Sequence, residues 1–266
     1  MADPSLATRP PAVAGAFYPA EPSRLADLVD RLLEAAGGTR SLPRPAALVV
    51  PHAGYAYSGG VAASAYARLR GLGRPPRRIV IAGPAHFVPL DGAAITTADA
   101  WATPLGIVPV DNELRDLAVG SGVSADDRPH QREHALEVQL PFLQRLVPDG
   151  LSILPIAVGE ISPGAVADMF ERLRDEADLL VVSTDLSHYH PDDVARRLDH
   201  RTVEAILARD PEGIDLDAAC GVYALRGLVE LARRGGWPVS VLDRRTSADA
   251  GGDPDRVVGY AALAIG

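Results

Sequence analysis

The sequence predicts an α/β fold in which a mainly parallel sheet is covered by helices on both faces. Short, wholly apolar runs alternate with amphipathic segments of helical length, a rhythm typical of parallel strands joined by crossover helices. Hydrophobic residues make up 47% of the 266 residues, which is enough for a full core. No long linker interrupts the pattern, so we expect one domain over residues 1–266.

The apolar runs are the predicted strands. The runs at 46–50 and 179–183 contain no charged side chain, as expected of strands that are buried on both faces. Pro155 interrupts the run at 151–158, and since proline has no N–H to donate, we expect an edge strand or a bulge there. The predicted strands comprise residues 46–50, 79–82, 151–158, 179–183, 239–243 and 256–264.

The amphipathic segments are the predicted helices. Residues 22–36 begin with proline and carry leucine and valine at helical spacing. Asp217 is a candidate N-cap for a helix over about 217–234, which would place Cys220 in its first turn, where the helix dipole favours thiolate. The other predicted helices cover residues 60–70, 111–119, 134–147, 163–176 and 191–208.

Charge and cysteine usage exclude several classes of partner and compartment. The net charge of −9 repels phosphate backbones and anionic lipids, so we expect no nucleic-acid or membrane partner. The single cysteine cannot form an intrachain disulfide. The sequence contains neither a signal-peptide core nor a membrane-length apolar run. We therefore expect a cytoplasmic protein.

Histidines follow three of the predicted strands. His52, His86 and His188 each come within a few residues of the end of an apolar run. A lone histidine near a strand end is more often structural than functional. Because the carboxyl ends of parallel strands meet at one edge of a sheet, where ligands bind, three such histidines favour a common site.

The residues around His52 and His188 offer further candidates. Tyr55 lies in the glycine-rich segment PHAGYAYSGG (51–60), which lacks the lysine of a phosphate-binding loop. It could line a pocket or pack beneath a tight turn. Asp185 precedes His188 by three residues, and a carboxylate there could orient a general base. The alternative is that Asp185, Ser187 and His190 cap the next helix.

Two further histidine contexts are less specific. His134 and Glu137 share a helix face at i, i+3. Together with Glu133 they could either surround a site or form an N-terminal cap. His130 and His200 are interpreted as surface residues.

A lone cysteine such as Cys220 usually behaves as a small buried hydrophobe, so by itself it favours a structural role.

Taken together, the motifs resemble the Memo family (mediator of cell motility), whose bacterial and archaeal members are also named AmmeMemoRadiSam system protein B. The resemblance covers nearly the whole chain, and the fixed order of eight motifs makes it specific. The motifs are AGAFYP (14–19), PHAGYAYSG (51–59), GPAHFVPLDG (83–92), WATPLG (101–106), EHALEVQLPFL (133–143), STDLSH (183–188), CG (220–221) and VVGYAA (257–262).

The resemblance implies a fold similar to that of the class III extradiol ring-cleavage dioxygenases, which hold non-haem Fe(II) through two histidines and a carboxylate. In the Memo family a cysteine replaces the carboxylate, so the resemblance implies metal ligation by His52, His86 and Cys220. His188 matches the general base of the dioxygenases, and we expect Asp185 to assist it. His134, Glu137 and Tyr55 are expected around the metal ligands or against substrate.

The expected function is therefore metal-dependent redox chemistry on an unknown small molecule, with O2 as a possible co-substrate. Fe(II) is the expected metal, although a soft thiolate also accepts copper and zinc. One alternative is a non-catalytic adaptor that binds a peptide or protein, since the bacterial family name implies AMMECR-type and radical-SAM partners. Another is zinc-dependent hydrolysis with His188 as base.

Overall fold

A computed structural model describes residues 6–37 and 44–266. Its helices are α1 (Pro22–Ala35), α2 (Tyr55–Tyr66), α3 (Asn112–Gly120), α4 (Leu140–Leu146), α5 (Pro163–Arg174), α6 (Asp192–Ala208) and α7 (Val222–Gly235). Its strands are β1 (Thr8–Arg9), β2 (Ala47–Val50), β3 (Arg78–Pro84), β4 (Ala93–Ile95), β5 (Ala100–Thr103), β6 (Gly106–Pro109), β7 (Ser124–Ala125), β8 (Ser152–Val158), β9 (Leu179–Ser183), β10 (His188–His190), β11 (Val239–Thr246) and β12 (Val257–Ile265).

The main sheet has the strand order β10-β12-β2-β9-β3-β8-β4-β7, with β11 also paired to β12. Its four central strands β2, β9, β3 and β8 are parallel. Antiparallel pairing joins β12 to β2 on one side and β4 to β8 on the other. A smaller sheet has the order β1-β5-β6. The predicted α/β class is confirmed, and the sheet is mixed because antiparallel strands flank its parallel centre.

Helices cover both faces of the main sheet. Every residue of β2 and β9 is buried, which requires cover on both faces because successive side chains point to opposite sides. Helices α1, α2 and α4 contact one another, and α2 also contacts β2 and β12. Helices α5 and α7 pack together and contact β9, and α7 also contacts β3. The buried apolar side chains form a large core cluster between these layers.

Two helices begin at positions other than those predicted. Helix α2 begins at Tyr55, about five residues before the predicted start. The predicted helix over 134–147 is shorter, because α4 begins at Leu140 after a 3₁₀ turn at Glu137–Gln139. Pro141 lies in the first turn of α4, the position where a missing N–H breaks no helical hydrogen bond.

The predicted start of the helix near Cys220 is also wrong. Helix α7 begins at Val222 with Gly221 as its N-cap, so Asp217 is not the cap and Cys220 precedes the first turn. The backbone N–H of Cys220 donates to the carbonyl of Asp185, and that of Gly221 donates to the Thr184 hydroxyl. These contacts tie the segment to the loop after β9.

The expectation of an edge or bulge at Pro155 is wrong, because β8 lies inside the sheet between β3 and β4. Pro155 is in regular register with Ile81 of β3. On the other side, the pairing of β4 reaches only Ile156. The proline therefore lies beside a gap in the ladder, where an internal strand tolerates a residue without an N–H.

Within the described ranges, no helix combines the length and the apolar character needed to cross a bilayer.

Candidate metal centre

Three imidazoles meet at the carboxyl edge of the parallel strands. His52 follows β2, His86 follows β3, and His134 lies in the segment before the 3₁₀ turn at Glu137–Gln139. One ring nitrogen of each lies within 4.8 Å of the others. The ring of His52 stands almost perpendicular to those of His86 and His134, at centroid distances of 5.2 and 5.4 Å. Residues from separate parts of the sequence thus form one cluster.

The thiol of Cys220 lies against the same cluster. Its Sγ atom is 3.1 Å from Nε2 of His52 and accepts a hydrogen bond of 3.2 Å from the backbone N–H of Asp185. Gly221 permits this approach, since a Cβ there would lie 2.9 Å from the carbonyl oxygen of Ser183. The thiol is therefore held beside His52 by the backbone around it.

Buried hydrogen bonds fix which nitrogen of His52 faces the thiol. The Ser183 hydroxyl donates to the carbonyl of Ala135 at 2.7 Å. With its proton used there, the Ser183 oxygen accepts from the Gln139 amide at 2.9 Å and from Nδ1 of His52 at 2.9 Å. Nδ1 of His52 therefore carries the proton, and the lone pair of Nε2 points towards Cys220. This is how proteins usually orient an imidazole that ligates a metal.

A buried carboxylate performs the same role for His86. Glu133 is fully buried, and its Oε1 atom lies 2.9 Å from Nδ1 of His86 and 3.5 Å from Nδ1 of His134. Its oxygens also accept the backbone N–H groups of His86 and Ala135. Burial by itself would raise the pKa of Glu133, but these hydrogen bonds lower it to about 2. The ionised carboxylate holds a proton on Nδ1 of His86 and leaves Nε2 free.

Where the imidazole of His52 meets the thiol of Cys220, neither side chain is charged. Burial, reinforced by the positive charge that His86 can carry, lowers the pKa of His52 to about 3. Burial and the neighbouring His52 lower the pKa of His134 to about 4. Burial, followed by the negative charge of Asp185, raises the pKa of Cys220 to about 12. Around neutral pH, a thiol therefore faces a neutral imidazole, contrary to the thiolate expected from a helix dipole.

Asp185 and His188 lie next to this cluster. Oδ1 of the buried Asp185 accepts the backbone N–H of His52 at 2.7 Å, and burial raises the pKa of its carboxyl group. Its hydrogen bond thus positions the His52 loop. His188 begins β10, is partly exposed, and is near enough to influence the charge of both His52 and Asp185.

The structure does not bring Tyr55 and Glu137 to the cluster. The hydroxyl of the buried Tyr55 donates to the carbonyl of Val138 at 2.5 Å, and its ring packs on Phe142. Glu137 is fully buried and pairs with Arg9 at 2.7 Å. It also accepts the Tyr18 hydroxyl at 2.6 Å. Both side chains therefore fasten the N-terminal segment and the core.

The interpretation of His130 as a surface residue is wrong, whereas His200 is exposed as predicted. His130 is buried, with Nε2 3.1 Å from the carbonyl of Ala94 and its ring against Trp101. Burial lowers its pKa to about 4. Its backbone carbonyl accepts Nε of Arg9 at 2.7 Å, so the residue anchors the loop that leads to His134.

Sequence analysis did not identify Ser183 and Gln139, which orient His52, and it placed Glu133 near a site without assigning it to an imidazole. The available signals were a glutamate directly before His134 and a serine at the end of an apolar strand. Both signals are weak, because glutamate and serine at such positions are common without a ligand nearby.

A cavity of about 450 Å³ adjoins the cluster. Its walls include His86, Cys220, Phe87, Tyr223 and Glu160. The ring of Phe17 packs on His134 at a centroid distance of 4.7 Å and covers another side of the cluster. The site therefore combines polar donors with an apolar surround, as small-molecule sites usually do.

The donor set fits a transition metal. Imidazole nitrogens with free lone pairs and a cysteine sulfur bind zinc, copper and iron, and the groups that hold the opposite ring nitrogens are already in place. His52, His86 and His134 each offer a ring nitrogen within 4.8 Å of the others. The sulfur of Cys220 is a further donor, 3.1 Å from Nε2 of His52 but outside that group of three nitrogens.

Comparison with known proteins agrees with these observations. The sequence profile of the Memo-like protein family matches residues 9–264. A MEMO1 family protein of Methanopyrus kandleri is 37% identical over 96% of this chain and 98% of its own length. Those of Aquifex aeolicus and Aeropyrum pernix are 36% and 37% identical, over 95% and 97% of this chain and 97% and 99% of their own lengths. On this match over nearly its whole length, the chain belongs to the Memo family.

Proposed function

We propose that this protein is a metal-dependent oxidoreductase in which His52, His86 and Cys220 hold one Fe(II) ion. Its substrate is a small molecule with oxygen donors, used together with O2. The observation that carries the proposal is the 3.1 Å contact between Cys220 Sγ and His52 Nε2, beside the cluster of His52, His86 and His134 whose ring nitrogens lie within 4.8 Å of one another. The resemblance of the Memo family to extradiol dioxygenases supports the choice of iron.

The orientation of His134 favours a role beside the ion. Its ring stacks on that of His86 at 4.7 Å with an interplanar angle of only 14°. The lone pairs of an imidazole lie in the ring plane, so those of two parallel, stacked rings do not converge on one point about 2 Å from both. The perpendicular ring of His52 meets that of His86 without this conflict. We therefore assign His134 to contact with substrate.

Each remaining residue has a defined task in the proposal. The bound metal would supply Lewis acidity and redox chemistry. Asp185 fixes the loop of His52 through its backbone N–H. His188, which is partly exposed at the start of β10, takes up the proton that a substrate hydroxyl loses on binding. Phe17 and Phe87 pack near His134 and make one side of the cluster apolar.

Metal analysis of protein purified without oxygen tests the first step, and oxygen consumption with catechol as the probe tests the second. We expect one iron per chain, and oxygen consumption that is lost in His188→Gln but kept in His200→Gln, a change at an exposed histidine. Bound zinc without oxygen consumption would contradict the redox proposal and favour hydrolysis. If no metal is bound, and if alanine at His52 and His86 leaves partner binding unchanged, an adaptor function is favoured.

A further inference from the structure

An arginine is stacked on an exposed aromatic ring next to His86. Phe87 follows His86 directly, lines the cavity beside the metal ligands and is 46% exposed. The guanidinium carbon of Arg132 lies 4.8 Å from the centre of its ring. A cation–π contact of this kind uses none of the N–H donors of the guanidinium group, which stay available to a ligand.

A second pair of the same kind lies next to His188. Tyr189 follows His188, is 63% exposed and has a φ of +63°. That backbone region is disfavoured for a bulky aromatic residue, and such outliers concentrate at functional sites. The guanidinium carbon of Arg256 lies 4.4 Å from the centre of the Tyr189 ring. The strained backbone thus presents an aromatic platform with an arginine on it beside the proposed base.

In the part of the chain that the structure describes, no carboxylate forms an ion pair with either guanidinium. Among the described residues, Arg132 and Arg256 form no ion pair or side-chain hydrogen bond, and ring stacking is the interaction that each makes. In a chain with a net charge of −9, most nearby fields would repel an anion. Arg132 therefore adds positive charge next to the residue that follows His86, and Arg256 does so next to the residue that follows His188.

We propose that the ligand of the histidine cluster carries an anionic group, a carboxylate or a phosphate, which Arg132 or Arg256 binds at the mouth of the site. This inference rests on the proposed function, because it gives the substrate a chelating end at the metal and a charged end at the rim. Asp91 and Glu160 line the same cavity, so the charged end lies away from them. A planar guanidinium group can form two parallel hydrogen bonds (a bidentate contact) with a carboxylate or with a phosphate.

A matched pair of ligands tests the proposal on the Fe(II)-loaded protein. 3,4-Dihydroxybenzoate and 3,4-dihydroxybenzamide share their hydroxyl groups and their size and differ in charge. We expect the wild type to bind the acid about tenfold more tightly than the amide, with a preference that falls as salt is added. Arg132→Gln or Arg256→Gln should abolish the preference without changing the affinity for the amide. Arg31→Gln, at an exposed position on α1, is the control.

The outcomes separate this inference from the proposed function. Loss of the preference in either variant supports the inference and identifies the arginine responsible, whereas an equal preference in all variants overturns it. If neither dihydroxy compound binds, chelation at the metal fails. Benzoate and benzamide, which need no metal, then decide the inference on the same variants. Equal affinities for these two probes in the wild type would refute it.

Discussion

The sulfur of Cys220 lies 3.1 Å from Nε2 of His52, although 168 residues separate the two in sequence. Because Ser183 holds the proton of Nδ1, the Nε2 lone pair faces the thiol. One proton therefore occupies the contact between them. A metal ion bound by both side chains would replace that proton, and this exchange leads to several measurable consequences.

Glu133 should control metal affinity more than stability of the fold. Replacing it by glutamine removes the negative charge that holds the Nδ1 proton of His86. We expect metal affinity to fall about 10- to 100-fold, as is usual for partners of ligating histidines. Competition with a chromogenic chelator measures the change.

Glu137 provides a matched control four residues away. It is also fully buried, but it binds Arg9 and Tyr18 and not an imidazole. Glu137→Gln should lower the free energy of unfolding by roughly 3 kcal/mol, because Arg9 loses its buried partner, while metal affinity changes less than about threefold. Equal losses of metal affinity in both variants would show that Glu133 acts through folding alone.

Metal binding should release a proton from Cys220. Burial raises the pKa of the thiol to about 12, so it is protonated throughout the neutral range and must lose its proton to bind metal. The imidazole of His52, with a pKa lowered to about 3, is already neutral and releases none. Apparent affinity should therefore rise about tenfold per pH unit between pH 6 and 8. Calorimetry in buffers of different ionisation enthalpy counts the protons, and a count of zero would exclude the thiolate as a ligand.

The metal-free protein should lose stability in mild acid. The pKa values of His52, His130 and His134 are lowered to about 3, 4 and 4, against about 6.5 in an unfolded chain. The unfolded state then binds more protons, so the free energy of unfolding falls as the pH drops from about 6.5 to about 4, by up to about 4 kcal/mol per pH unit. Urea denaturation across this range measures the slope. His130→Gln should reduce the slope by about a third. A slope that this substitution leaves unchanged would contradict the burial of a neutral His130.

Gly221 should be needed for the position of Cys220. A Cβ at this residue would lie 2.9 Å from the Ser183 carbonyl oxygen, so Gly221→Ala should cost about 1–3 kcal/mol of stability and weaken metal binding. Gly120→Ala is the control, because a Cβ there meets no atom within 4 Å and should change stability by less than about 0.5 kcal/mol. Equal behaviour of the two variants in chelator competition and urea unfolding would refute the role of Gly221.

The proximity of His52 and His86 could be predicted from the sequence, because both follow the same local pattern. Each histidine follows an apolar strand, and parallel neighbours carry such residues to one edge of the sheet. No local pattern encodes the position of Cys220. Its segment reads like the start of a helix, and only the close contact of Gly221 with the loop after β9 shows where α7 begins.

The roles of Glu133, Glu137 and His130 could not be predicted, because they depend on long-range partners. Arg9, more than 120 residues away in sequence, binds the Glu137 carboxylate and the backbone carbonyls of His130 and Glu133. Helical periodicity predicts that Glu137 and His134 lie on the same face of one helix, although His134 is not helical in the structure. Local periodicity therefore located the strand ends but not the groups that orient the ligands.

We propose that His52, His86 and Cys220 bind one ion together. The most direct test is to load the protein with Co(II) without oxygen and to record its absorption spectrum. We predict one equivalent bound, with an intense near-ultraviolet band from thiolate-to-cobalt charge transfer that disappears in Cys220→Ser. Stoichiometric binding with the same spectrum in wild type and Cys220→Ser would contradict the assignment of the thiol as a ligand.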